Sequence, residues 1–517
     1  AQFFALCVRG ALDTGLSWDE DDHRAYGRWV LDWYASPDWT SPSRQVMSQY
    51  GALFGVVCSA LERVFPSISY ISLRHVATAC FALVGLCFAA RTARAVAGER
   101  AGFLAALVLA ATPSWTGHAM FNPIDIPFAA CTAVALYYLV RLVQSLPSPP
   151  RSAWVKLGLA TGTSLGIRIG GILIFFYLGV ALALWWIAAR RTTASEISDR
   201  SVLARHARRF ALGWITTVIV AYVVACAFWP YLLTNPIGHT LDIVRSSSSF
   251  PWKNTILFRG EIVASTSPMR WYLPTWFAIT LPPVFFVVPI GVIVWHARLR
   301  SDGRDSFDRK FPLTVLLLAV LFPLAYAIAV NATLYDGLRH FLFVMPPFAV
   351  LCATGLAQCL ECARSAVAKL AFTLAIAASV AEPAWWYARS HPYEYTYFNP
   401  FVGGLSRASH DYETDYWGLS MRSAAEWITA HRASLGAGEI VVGTNSSWHL
   451  LAPWFHDPSI REPRSRDERV HVFVEHYRHR PPGWDQRGDA AFSLKLFTNQ
   501  VPFYRIHVDP NVAASKQ

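Results

Sequence analysis

The sequence is short of charge. Asp, Glu, Lys and Arg make up 15% of its 517 residues, against 54% for the hydrophobic types. A soluble domain usually carries about 25% charged residues. Set beside the long apolar runs, that shortage excludes an ordinary soluble protein and points to a polytopic α-helical membrane protein. No basic stretch is interleaved with aromatics in a soluble region. The net charge of +11 is therefore topology signal, and no nucleic-acid partner is expected. No cysteine follows Cys362, so the long C-terminal stretch can hold neither a disulfide nor a thiolate metal site. Most of the nine cysteines fall in apolar runs, where a thiol is a small hydrophobe. Cys359 and Cys362 have CxxC spacing but stand alone at a helix end. No internal repeat and no low-complexity segment is visible. The chain begins at Ala1 with about half of a first membrane span. Its start is expected to be missing or processed, and no cleavable signal peptide is readable.

What the sequence has is a series of apolar stretches: Arg74–Ala90, Ala101–Ala111, Ile124–Val143, Val155–Leu165, Gly171–Ala189, Phe210–Trp229, Thr275–Trp295, Phe311–Val330, Phe341–Leu356 and Leu370–Val380. With the partial first span they predict about eleven membrane helices, some short or tilted. Every second loop is rich in Arg and Lys. Examples are Arg91, Arg94 and Arg100, then Arg190 to Arg209, then Arg298 to Lys310. Those loops are expected in the cytoplasm, and the alternate ones outside. The division predicted is a membrane domain over 1–383 and a small extracytoplasmic α/β domain over 384–517. In the latter, Ser423–Ala433 reads as a helix, and Glu439–Val442, Val470–Glu475 and Lys495–Thr498 read as strands.

Polar residues gather where the expected outer loops enter the membrane. "SWDEDDHRAYG" holds Asp19, Glu20, Asp21, Asp22 and His23. Charge runs are usually solvated, but acids add little to topology. A carboxylate at a membrane rim can act as a general base or bind a hard cation. If Trp18–Gly27 opens a helix, Asp19, Asp22 and His23 share a face. "GHAMFNPIDIPFA" places His118, Asn122 and Asp125 at the mouth of an apolar helix. Arg168 in "SLGIRIGG" either snorkels or points into a cavity to grip a phosphate. "LYDGLRHFLFVMPP" adds Asp336, Arg339 and His340 beside a helix start, a composition that suits an anion. Arg270, Trp271, Tyr272 and Trp276 read either as an aromatic belt or as a wall for a lipid tail or sugar ring. One such loop is ordinary; four suggest a shared polar cavity.

These residues resemble a family. Asp19-Glu20 looks like the acidic motif of the GT-C glycosyltransferases. "FNPIDIPFA", "LYDGLRHFLF", "RWYLPTWFAITLP" and "HPYEYTYFNPFVGG…ETDYWG" resemble the bacterial protein mannosyltransferase-like branch, glycosyltransferase family 39. The resemblance implies a multi-pass protein of the bacterial inner membrane with a periplasmic C-terminal domain. It implies transfer of a sugar from a polyprenyl-phosphate donor to an acceptor hydroxyl, with inversion. By position Asp19 matches the catalytic acid, and Glu20 would assist it or bind metal. Asp125 matches the second acid, and Arg168, Arg339 and His340 are candidates for the donor phosphate. Asp21 and Asp22 extend the acid pair, so which carboxylate is the base stays open. So does a divalent cation, since only some members use one. The acceptor (protein, lipid or glycan) and the sugar are not specified. The rival readings are an inactive scaffold subunit and a transporter. A transporter usually places its charges near the midplane and shows repeat symmetry; here they cluster at helix ends.

Overall fold

The structure is a computed structural model that describes residues 2–37, 47–193, 200–248, 252–267, 269–287, 307–436, 438–478, 492–496 and 501–509. Among these residues, seven helices are long and apolar enough to cross a membrane: Tyr70–Ala97, Asp125–Val143, Ile169–Arg190, Ala204–Cys226, Phe311–Ala329, Arg339–Cys362 and Ala366–Ser390. The remaining apolar stretches make shorter helices. Gln2–Asp13 and Glu99–Ala110 have 12 residues each, and Arg151–Leu165 has 15. At 1.5 Å per residue these reach about 18–23 Å, short of a ~30 Å hydrocarbon core. The stretch Thr275–Trp295 begins inside a nine-residue helix, Tyr272–Thr280, and 288–295 lie outside the described residues. The helix Ala366–Ser390 leaves Val367, Leu370 and Leu374 exposed, at 77%, 59% and 59%. An apolar face that open belongs against lipid.

Small residues set the close crossings that position the polar ends. A Cβ on Gly27 would stand 2.4 Å from the backbone of Gly55. Only glycine lets the acidic helix Glu20–Ala35 lie this close to the helix Leu53–Val64. A Cβ on Gly117 would meet the Tyr395 nitrogen at 2.3 Å, which seats the short helix Pro113–His118 on the turn Glu394–Thr396.

The C-terminal part is a five-stranded mixed sheet. Its strands are β3 (Ile440–Thr444), β4 (Ile460–Arg461), β5 (Val472–His476), β6 (Phe492–Leu496) and β7 (Val501–Val508), in the order β4-β3-β5-β7-β6. Strand β3 is parallel to β4 and β5, while β7 is antiparallel to β5 and β6. Val442, Val472, Val474 and Ile506 are fully buried and pack with Met421, Ala424 and Ile428 of the helix Met421–Ala430. The expected helix and three strands are therefore present within a few residues; 497 and 498 lie outside the described residues. A separate hairpin, β1 (Thr255–Phe258) with β2 (Glu261–Ala264), rises from the loop before Tyr272.

The division expected at 383/384 falls inside the helix Ala366–Ser390. Beyond it, Tyr393, Tyr395, Tyr397, Phe398, Tyr416 and Trp417 share one hydrophobic core with the membrane helices. The sheet's own core begins only at Met421. The stretch 393–419 is thus the floor on which the sheet domain stands, and it carries part of the site.

Candidate active site

The acidic loop sorts its carboxylates by helix geometry. The buried residues of Glu20–Ala35 are Glu20, His23, Tyr26, Gly27, Val30 and Trp33, a stripe of helical period. That stripe, fixed by its apolar members, turns Glu20 and His23 inward and leaves Asp22 exposed. Asp19, Asp22 and His23 take the i, i+3 and i+4 spacing expected of a shared helix face, but of the three only His23 is buried. Glu20 is fully buried. It accepts from the Ser17 N–H at 2.9 Å and the Ser17 hydroxyl at 3.0 Å, and makes an ion contact with His75 Nε2 at 2.9 Å. Burial pushes its carboxyl upward, but His75, the Ser17 donors and Arg74 outweigh that and hold it below the ordinary value. The Nδ1 of His75 donates to the Ala11 carbonyl at 3.0 Å, so His75 ties the first helix and the acidic helix to the span Tyr70–Ala97.

Asp19 differs. It stands at the N-cap of the same helix yet makes no side-chain cap bond. Its carboxylate, 37% exposed, accepts from Arg339 Nη1 at 3.3 Å. Asp22 is held above the ordinary carboxylate value by partial burial and by the neighbouring charge of Asp19. Asp21 accepts from the Tyr70 hydroxyl at 3.1 Å. Burial, with Arg74 and Arg168 adding to it, pushes the His23 imidazole down to about 3, so it stays neutral.

Asp125 forms the second centre. The Asn122 side-chain oxygen takes the N–H groups of Ile124 and Asp125 at 3.1 and 2.8 Å, which turns the chain into the helix Asp125–Val143. The amide of Asn122 donates to Asp125 at 2.9 Å. Asp125, 2% exposed, pairs with Arg168 Nη1 at 2.7 Å and lies 4.0 Å from Arg339 Nη1. Arg339 also contacts Asp336 at 2.9 Å and sits over the rings of Trp417 and Tyr335 at 4.6 and 5.0 Å. Two guanidinium groups and three aspartates thus meet at one place. Arg168 and His340 line an adjoining cavity of about 250 Å³, together with Tyr50, Phe128, Tyr335 and Phe343.

His118 holds the floor. Its Nδ1 donates to the Ser114 carbonyl at 2.7 Å. Its Nε2 therefore accepts, from the Trp417 indole N–H at 3.3 Å and the Tyr416 hydroxyl at 3.4 Å. Burial pushes the ring down to about 4, in keeping with this neutral tautomer. His118 packs among Phe121, Tyr395 and Tyr416 rather than facing the cavity.

The structure thus brings together Asp19, Asn122, Asp125, Arg168, Asp336 and Arg339, with His340 in the adjoining cavity. It places Glu20, His23 and His118 in supporting positions. Arg270 is exposed. Tyr272 is buried between Phe258 and Trp276, where its oxygen accepts from the Gly337 N–H at 3.0 Å. Sequence reasoning missed Arg74 and His75, taken as part of an apolar run; an ionisable pair in a span was the available signal. It also missed Arg478, and it gave Glu413 no role beyond the motif "ETDYWG". No three His, Cys, Asp or Glu side chains converge as metal ligands among the described residues. Asp19 and Asp125 already face guanidinium groups, so these residues as arranged do not fit a divalent cation.

Comparison with known proteins agrees with this architecture. Residues 54–204 match the Dolichyl-phosphate-mannose-protein mannosyltransferase family. ArnT from Cupriavidus metallidurans bound to undecaprenyl phosphate is similar over 98% of this chain and 97% of its own, at 14% identity and TM-score 0.50. The same protein in the apo state is similar over 99% and 98%, at 15% identity and TM-score 0.46. The archaeal oligosaccharyltransferase AglB from Archaeoglobus fulgidus, in complex with an inhibitory peptide and a dolichol-phosphate, is similar over 92% and 69%, at 14% identity and TM-score 0.47. No curated protein sequence matches the chain. With its spanning helices, its likeness of fold to ArnT and the match over residues 54–204, the chain is an integral membrane protein of the GT-C fold.

Proposed function

We propose that the chain is a membrane glycosyltransferase that moves a sugar from a polyprenyl-phosphate donor to an acceptor hydroxyl, with inversion. The observation that carries this reading is that Arg168 and Arg339 both face Asp125, that Arg339 also holds a partly exposed aspartate, Asp19, and that Arg168 lines a cavity of about 250 Å³. A phosphate leaving group chiefly needs cations next to it, and Arg168 and Arg339 supply them with fork geometry. His340, Tyr50 and Tyr335 complete the wall of the cavity.

The steps follow from the residues. Asp19 accepts the proton of the acceptor hydroxyl. The oxygen attacks the anomeric carbon from the side opposite the phosphate, the carbon–oxygen bond to phosphate breaks, and its electron pair leaves on the lipid phosphate. The two arginines neutralise the charge that gathers there. Asp125 lies between Arg168 and Arg339 and orients both. The donor tail lies in the bilayer and the acceptor comes from water, which accounts for acids at the rim. We place the protein in a bacterial inner membrane with residues 393–509 on the periplasmic side. The likeness of fold to a chain bound to undecaprenyl phosphate supports that class of donor.

The test is transfer from a panel of labelled polyprenyl-phosphate sugars by purified protein in nanodiscs, with candidate acceptors supplied. Turnover or donor hydrolysis with one sugar supports the reading. Absence of both turnover and lipid-phosphate binding refutes it in favour of a scaffold role.

A further inference from the structure

We propose that Arg478, in the segment that follows β5, is a positioning residue for Arg339 and makes the sheet domain part of the site. This rests on the phosphate role of Arg339 given above. Arg478 Nε donates to Glu413 at 2.6 Å, Nη2 donates to Asp336 Oδ1, and the guanidinium lies over the Trp252 ring at 5.5 Å. The other oxygen of Asp336 meets Arg339 Nε at 2.9 Å. One carboxylate therefore joins two arginines whose positions are 139 residues apart in sequence.

The backbone presents Asp336 for this task. It adopts φ +56°, and Gly337 follows at φ +64°. The Gly337 N–H is fixed by the Tyr272 hydroxyl at 3.0 Å. Aspartate tolerates the left-handed region better than most residues, and the surroundings hold it there. With its Nε edge occupied by Asp336, Arg339 turns Nη1 toward Asp19 and Asp125. The groups form an alternating series: Glu413, Arg478, Asp336, Arg339, then Asp19 and Asp125, then Arg168. Four carboxylates face three arginines. Removing Arg478 leaves two arginines, and the full charge of Asp336 then falls on Arg339. Arg339 is drawn back from the place where a phosphate would sit.

The experiment is a double-mutant cycle in the full chain, with undecaprenyl phosphate as the probe. Its dissociation constant is measured in nanodiscs for wild type, Arg478→Gln, Arg339→Gln and the pair. Arg478→Lys, which keeps the charge without the fork, is included in case Arg478→Gln folds poorly. The expected result is a loss of about 10-fold for Arg478→Gln when Arg339 is present, and under about 2-fold when it is absent. The loss for Arg478→Lys should lie between those of wild type and Arg478→Gln. Losses that add independently of Arg339 overturn the inference and leave the proposed function standing. A wild type that binds no undecaprenyl phosphate overturns both.

Discussion

Arg339 holds Asp19 at 3.3 Å across 320 positions of sequence, and the same Nη1 lies 4.0 Å from Asp125. The proposed base is therefore capped by the cation that is also proposed to receive the donor phosphate. When phosphate arrives it competes with Asp19 for Arg339, and the carboxylate is released to take a proton. Asp19→Asn should thus bind undecaprenyl phosphate at least as tightly as wild type, read as a dissociation constant in nanodiscs. Weaker binding would mean that Asp19 holds the lipid instead of competing with it.

Glu20 is adjacent in sequence but opposite in role. It is fully buried against Ser17 and His75. Glu20→Gln should lower the thermal midpoint, because truncating one partner of a buried ion pair costs about 3–5 kcal/mol. At temperatures where the variant remains folded it should bind the lipid phosphate normally. Loss of binding at unchanged stability would sink this assignment.

Asp125 and Arg168 form a pair in which each neutralises the other, at 2.7 Å and largely buried. Either single change to an amide should destabilise strongly, and the double change less than the sum, since a lone buried charge is the costly state. Thermal unfolding of the four proteins measures this directly. Additive losses would show that the two side chains act independently.

Glu413 is pushed up to about 7 by burial, against the pull of Arg478. The folded chain then holds this proton more tightly than the unfolded chain does. Stability should fall as pH rises from the ordinary carboxylate range through about 7. Glu413→Gln should show a shallower fall of thermal midpoint over that window; an unchanged slope would remove Glu413 as its source.

His391 acts in a higher window. Its ring is bonded to Glu394 at 2.7 Å and Asp13 at 3.1 Å, and the hydrogen bond to Glu394 raises it above the ordinary imidazole value. Its stabilisation is complete below that ordinary value and is lost as pH rises through the raised one. His391→Gln should abolish that part of the decline, which a thermal scan against pH would reveal.

Much of the candidate site is legible in the sequence, and the reason is solvent. Asp19, Asp125, Arg168 and Arg339 stand at the mouths of apolar helices, where a charged residue is conspicuous. The same test applied inside a span would have found Arg74 and His75. Glu413 and Arg478 lie beyond the last span, where acids and arginines are ordinary, and only tertiary packing joins them to each other and Arg478 to Asp336. The inward turn of Glu20 was hidden for another reason: four acids in a row look alike until the stripe through Tyr26, Val30 and Trp33 fixes which one faces the core. The shorter helices look like spans in the sequence because apolar composition alone does not show where Glu99–Ala110 or Arg151–Leu165 stops.

The most direct test of the central claim is single-turnover sugar transfer by wild type and Asp19→Asn, each saturated with the polyprenyl-phosphate sugar that wild type accepts. If Asp19 is the base, donor occupancy is full in both and the rate is lower by about 10²–10⁴-fold in the variant, the usual worth of a general base. Transfer by Asp19→Asn at the wild-type rate would contradict it.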